Sequence, residues 1–189
     1  MRRSTINQAI SEAKACFHAH HWSLPPNPLW DVTDFGLGDF PSYGLVLVNL
    51  AEEAEYCEKL MYARHGQHTP VHAHKVKKED IIVRMGLLSI QLWCGRPDRP
   101  KEESFSLKRN RELMTLSHGE VLTLSAGERI TIPPGIFHEF WPESTSCIIG
   151  EVSTANDDQN DNYFINPDIG RFSQIIEDEP SLLKLVSDN

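Results

Sequence analysis

The chain has 189 residues, of which 40% are hydrophobic and 24% charged, the proportions of one globular domain with a short appendage. A formal net charge of −9 with no basic patch offers phosphate nothing to bind, which argues against nucleic acid and anionic membranes as partners. No apolar run approaches the ~20 residues of a membrane span. Arg2 and Arg3 precede no apolar signal core, and Cys16, Cys57, Cys94 and Cys147 form no C-x-x-C pair, so the expectation is reduced thiols in a cytoplasmic protein.

Residues 4–20 read as a helix. Ser4 suits its N-cap, and Ile6, Ala9, Ile10, Ala13 and Phe17 recur at three- and four-residue steps. Leu24-Pro25-Pro26-Asn27-Pro28 ends it. Residues 30–41, rich in Gly and Asp, read as a loop. From Tyr43 the pattern changes to short strands, at 44–50, 55–63, 81–85 and 87–93, the last two expected as a hairpin turning at Gly86. Further strands are expected at 104–107, 113–116, 120–124, 129–132, 138–141 and 145–153. In the 55–63 strand, Cys57, Lys59, Met61 and Ala63 share one face. Many short strands at this spacing indicate a sandwich or closed barrel. Residues 156–162 are a polar, acidic loop, Tyr163 and Phe164 offer an anchor, and 178–185 are expected to form a short helix. The division that follows is 1–41 as N-terminal helix and arm, 42–153 as barrel, and 154–189 as a C-terminal extension packed on it.

Chemistry concentrates in two stretches. In the first, His72 and His74 lie two apart, so in a strand both imidazoles point to one face, and Glu79 follows. The second, Gly127 to His138, places a third imidazole after Pro133-Pro134-Gly135. Any one histidine is an ordinary polar residue, but three imidazoles and a carboxylate in these settings form an N/O site suited to Mn²⁺, Fe²⁺, Co²⁺ or Zn²⁺. His65 and His68 precede Pro70, which interrupts any strand, and read as loop residues. Lys77 shares parity with Glu79 and faces inward with it; composition alone reads Lys75 to Lys78 as a solvated turn. Beside a dication its pKa would fall, which suits proton transfer near neutral pH. Glu151 interrupts an apolar strand and, with Cys147 and Ile149, faces the presumed lumen, where a carboxylate needs a partner or a task. Asp161, Asp168 and Arg171 are placed to cover the barrel mouth, where a sugar hydroxyl or a salt bridge would suit them.

The two stretches resemble the paired motifs of the cupin superfamily, at Gly66, His72, His74, Glu79 and Gly86, then at Gly127, Pro133, Gly135 and His138. More closely, Thr69-Pro70-Val71-His72-Ala73-His74, Lys77-Lys78-Glu79-Asp80, Gly150-Glu151-Val152-Ser153 and Glu177-Asp178-Glu179-Pro180 resemble the bacterial D-lyxose isomerase family, with likeness over nearly the whole chain. Between Pro26 and Tyr43 the chain is shorter than that family's pattern, so no substrate contact from that segment carries over. The resemblance implies a mostly-β cupin fold, a double-stranded β-helix or jelly-roll barrel with an N-terminal helix and a C-terminal extension. It implies a divalent metal, first of all Mn²⁺, on His72, His74, Glu79 and His138. It favours a catalytic role for Lys77, which pairs with the Glu151 read from its strand; these two with Asp161 and Arg171 are the expected substrate-binding set. The implied reaction is the interconversion of D-lyxose and D-xylulose by enediol proton transfer, with D-mannose and D-fructose as a second pair, in a homodimer. The rivals are a metal-dependent cupin dioxygenase and a non-enzymatic sugar-binding cupin.

Overall fold

A computed structural model of the chain describes residues 1–155, 157, 160–170 and 173–188. Helix α1 (Arg3–Ala19) leads into β1 (Leu29–Thr33), the one-turn helix α2 (Phe40–Tyr43), β2 (Leu45–Glu52) and β3 (Tyr56–Arg64). Then come β4 (His72–His74), β5 (Glu79–Met85), β6 (Leu87–Arg96), β7 (Arg99–Pro100), β8 (Ser104–Arg109) and β9 (Glu112–Ser117). β10 (Glu120–Ser125), β11 (Arg129–Ile132), β12 (Ile136–Pro142), β13 (Ser146–Thr154) and β14 (Asn162–Phe164) complete the set. One sheet runs β1-β2-β3-β13-β5-β11-β8-β9 and the other β10-β6-β12-β4-β14, with β7 beside β6. The protein is mostly β with an N-terminal helix, as the strand pattern indicates.

Side-chain alternation builds two apolar layers. Met61 and Ala63 of β3, and Cys147 and Ile149 of β13, join Ile81, Leu88, Ile90 and Phe140 in the lumen between the sheets. Their neighbours Leu60, Tyr62 and Ile148 point the other way and meet Ile6, Ile10, Ala13 and Phe17 of α1. The helix stripe is therefore what covers the outer face of the larger sheet.

Four local expectations are corrected. First, residues 29–33 form a strand, because Trp30 and Val32 bury against the helix layer and the backbone pairs with β2. Second, β5 and β6 do not form a hairpin. Gly86 carries the chain from one sheet to the other, at φ +89 and with the Ser144 side chain and the Ser146 carbonyl where a Cβ would stand. Third, Ser4 lies inside α1; its amide and hydroxyl donate to the Asp178 carboxylate at 2.9 and 2.7 Å, an anion at the helix N-terminus. Fourth, residues 178–185 form a strap instead of a helix. Asn7 donates to the Pro180 carbonyl and accepts from the Leu182 amide, so these polar groups serve α1.

Candidate active site

His72 and His138 are direct cross-strand partners on β4 and β12, and His74 lies two residues along β4 on the same face. Glu79 opens β5, in the opposite sheet, and reaches across to them. The four ligand atoms lie within 4.8 Å of one another. Glu79 Oε1 stands 2.9 Å from His138 Nε2 and 3.4 Å from His74 Nε2.

The Nδ1–H of His138 donates to the Ile136 carbonyl at 3.2 Å, and that of His72 to the Pro70 carbonyl at 2.8 Å. Both contacts leave the Nε2 lone pair for the centre, the arrangement that orients metal-ligating histidines. His138 Nε2 and Glu79 Oε1 are then two acceptors in close approach, and both, like His74 Nε2, are buried without a hydrogen-bond partner. Buried polar atoms without partners are costly, and a divalent cation satisfies all of them at once. Burial, with His138 and His74 adding to it, holds the His72 pKa well below the usual imidazole range, so the ring is neutral as a ligand must be. The quartet fits a divalent metal.

A second buried group adjoins the first. Lys77 Nζ lies 2.9 Å from Glu79 Oε2 and donates to Glu151 Oε1 at 3.0 Å; Lys59 Nζ lies 3.6 Å from the same Glu151 oxygen. All four side chains are nearly inaccessible. Burial alone would lower the Lys77 pKa, but the Glu151 and Glu79 carboxylates outweigh it and hold the ammonium above its ordinary range. Lys77 thus sits between two carboxylates, a balance that a dication held by Glu79 would shift back toward a lower pKa. Burial alone would likewise raise Glu151, but Lys59 and Lys77 bring it below the usual glutamate range, so it is ionised.

Asp161 holds this arrangement from below. Its Oδ1 accepts from the Val76 amide at 2.7 Å and its Oδ2 from the Lys77 amide at 2.8 Å. Both oxygens are thus engaged with the backbone that positions Lys77. Asp168 is exposed, its amide donating to the Asn166 side-chain oxygen, and Arg171 lies outside the described residues, as do Asn156, Asp158 and Gln159 of the acidic loop. His68 stacks on Trp141, away from the cluster.

The quartet, Lys59, Lys77 and Glu151 line a cavity of about 100 Å³. Sequence reasoning did not single out Lys59, although strand parity puts it on the lumen face with Met61. Phe35 and Phe164 also line the cavity, and Phe35 comes from the segment read only as a loop.

A sequence profile described as D-lyxose isomerase matches residues 27–189. The chain is 34% identical to the D-lyxose/D-mannose isomerase of Escherichia coli O157:H7, covering 100% of this chain and 98% of the relative. It is 41% identical to the protein of the same description from Serratia proteamaculans, covering 95% and 94%. The first alignment spans 223 positions against 189 residues here, so the relative carries segments that this chain lacks. Among solved structures, the Cellulomonas parahominis L-ribose isomerase with L-ribose superposes with a TM-score of 0.70 at 17% identity, over 93% of this chain and 98% of that one, a likeness of fold.

Proposed function

The chain belongs to the D-lyxose isomerase family and is a sugar isomerase, and from that premise we propose that it interconverts D-lyxose and D-xylulose, with D-mannose and D-fructose as a second pair, by proton transfer through an enediol. The observation that carries the reading is the ionised Glu151 beside the Lys77 ammonium, both buried in the cavity of the His/Glu quartet. Membership of an isomerase family displaces the dioxygenase and non-catalytic readings.

His72, His74, Glu79 and His138 would hold the metal, Mn²⁺ before Co²⁺, Fe²⁺ or Zn²⁺, which when bound supplies Lewis acidity toward the sugar oxygens. Glu151 is the base. It accepts the C2 proton of the open-chain aldose and returns it to C1, one carboxylate serving two adjacent carbons. Lys59 and Lys77 keep it ionised for that task. Lys77, paired with both carboxylates, serves the oxygens: its ammonium gives a proton to O1 as charge develops there and the resulting amine takes the proton of the O2 hydroxyl, so a proton moves between the oxygens while the carbon proton moves from C2 to C1. The four free cysteines accord with a cytoplasmic setting, and a homodimer is part of the same proposal.

The test is a panel of aldoses with metal-stripped protein reloaded with Mn²⁺, Co²⁺, Fe²⁺ or Zn²⁺. D-Xylulose should accumulate from D-lyxose, with solvent deuterium entering at the transferred position where the proton exchanges. An absence of ketose with every metal would overturn the proposal.

A further inference from the structure

The mechanism above leaves the aromatic part of the cavity without a task. Phe35 and Phe164 stand edge to face with ring centroids 6.3 Å apart, and the Phe164 ring lies 5.5 Å from the His72 imidazole. Both are only partly buried; Phe35 packs against the edge of the lumen core and still turns part of its ring to the cavity.

Phe35 is placed there with some force. Its backbone is left-handed, at φ +56, a conformation that a bulky side chain adopts only where its surroundings impose it. The surroundings are explicit. The Phe35 amide donates to Thr33 Oγ1 at 2.8 Å, and its carbonyl accepts from the Gly170 amide at 3.0 Å. The next residue, Gly36, donates to Asp34 Oδ1 at 3.1 Å, and the Ser173 hydroxyl bonds the same carboxylate oxygen. The β1–α2 segment is thus clamped to the C-terminal segment, and the clamp fixes one aromatic ring at the cavity wall.

A sugar presents hydroxyls along its edges and C–H bonds on its faces. Its C1 and C2 must lie against Glu151 and Lys77, whose charges suit the reacting end alone. The carbons beyond C3 then extend toward the part of the lining that carries no charge, and a cavity of about 100 Å³ leaves little room there.

We infer that Phe35, backed by Phe164, limits the length of the sugar this site accepts: its ring packs against the terminal carbon of a pentose and opposes the additional CH₂OH of a hexose. This rests on the isomerase reading above. Phe35→Gly tests it, because glycine accepts φ +56 without strain, so the ring is removed while the loop keeps its shape. The measurement is internal competition between D-lyxose and D-mannose with the Mn²⁺-loaded full chain. The ratio of kcat/KM for mannose over lyxose should rise about 10-fold, mainly through KM, the scale on which an apolar wall discriminates one carbon. Phe35→Trp, which adds bulk, should lower the ratio and gives an answer even where Phe35→Gly fails to fold. A ratio that is unchanged in the folded variants, or that moves in the opposite direction, overturns the inference. Wild-type protein that turns over neither sugar fails earlier, and there it is the isomerase reading that falls.

Discussion

The two buried polar clusters share one cavity and are built on opposite terms. In the His72, His74, Glu79 and His138 quartet, acceptors converge with no donor between them. In the Lys59–Glu151–Lys77 row, charges alternate in sign, with contacts of 3.6 and 3.0 Å. A cation would complete the quartet, whereas the two ammoniums of the row are balanced within the fold by Glu151 and Glu79. Buried polar atoms without partners are costly, so the quartet would escape that cost only when loaded, whereas the charges of the row are paired at all times. Glu79 belongs to both, with Oε1 toward the imidazoles and Oε2 toward Lys77. The metal binding and proton transfer proposed for them would thereby be joined through one carboxylate yet remain chemically separable.

Separability should be plainest at Glu151. Glu151→Gln preserves shape and removes the base, so kcat should fall by about 10²–10⁴-fold, the range of a lost general base. Bound metal, measured by atomic emission, should stay near one per chain. His74→Ala should reverse the pattern. It loses the metal, and with it the stabilisation that Mn²⁺ gives the wild type, about 2.7 kcal/mol at a hundredfold excess over Kd. Thermal unfolding with and without Mn²⁺ reads this directly. If Glu151→Gln sheds metal as His74→Ala does, the two clusters are one unit.

The same contrast explains what the sequence made legible. The quartet was readable because strand alternation is local: His72 and His74 must share a face once that stretch is extended. Glu151 stood out because a carboxylate in an apolar strand is conspicuous. Lys59 did not, since Glu55, Glu58 and Arg64 make its strand look solvated, and only pairing with β2 and β13 on both sides buries it. The expected hairpin at Gly86 failed for a related reason. Turn chemistry is local, but β5 finds β11 and β13 while β6 finds β10 and β12, and those distant pairings decide. Phe35 was hidden in a short Gly- and Asp-rich stretch whose conformation is imposed by residues far along the chain.

Charge balance in the row can be tested by stability alone. Lys77→Met keeps the length and removes the cation, leaving Glu79 and Glu151 without their shared partner. The metal-stripped variant should lose roughly 3–5 kcal/mol against stripped wild type in urea unfolding. The pH dependence follows from the directions of the shifts. Against their burial, Glu79 and Glu151 lie below the glutamate value of 4.5, so their contribution is full above it and is lost as pH falls through the lowered folded pKa values. Lys77 is raised, so its contribution is full below 10.5 and is lost only as pH rises beyond it. The gap between the two proteins should therefore be flat from about pH 5 to about pH 10 and close in acid. A gap that widened in acid would mean that the carboxylates are not what Lys77 stabilises.

The smallest effect should come from Asp161, which touches the row only through the backbone. Asp161→Asn keeps one acceptor oxygen but gives up the charge and replaces the other oxygen by a donor that faces the Val76 or Lys77 amide. Losing one charge-assisted bond should cost about 1.5–3 kcal/mol of stability. The turn carrying Lys77 would loosen while β4 and β12, which carry the three imidazoles, keep their pairing. Turnover should fall by about 10-fold, as one misplaced contact to the reacting oxygen would dictate, while Mn²⁺ affinity by calorimetry stays within error of wild type. A drop in metal affinity with turnover intact would place Asp161 in support of the quartet, and the boundary drawn between the two clusters at Glu79 would have to move.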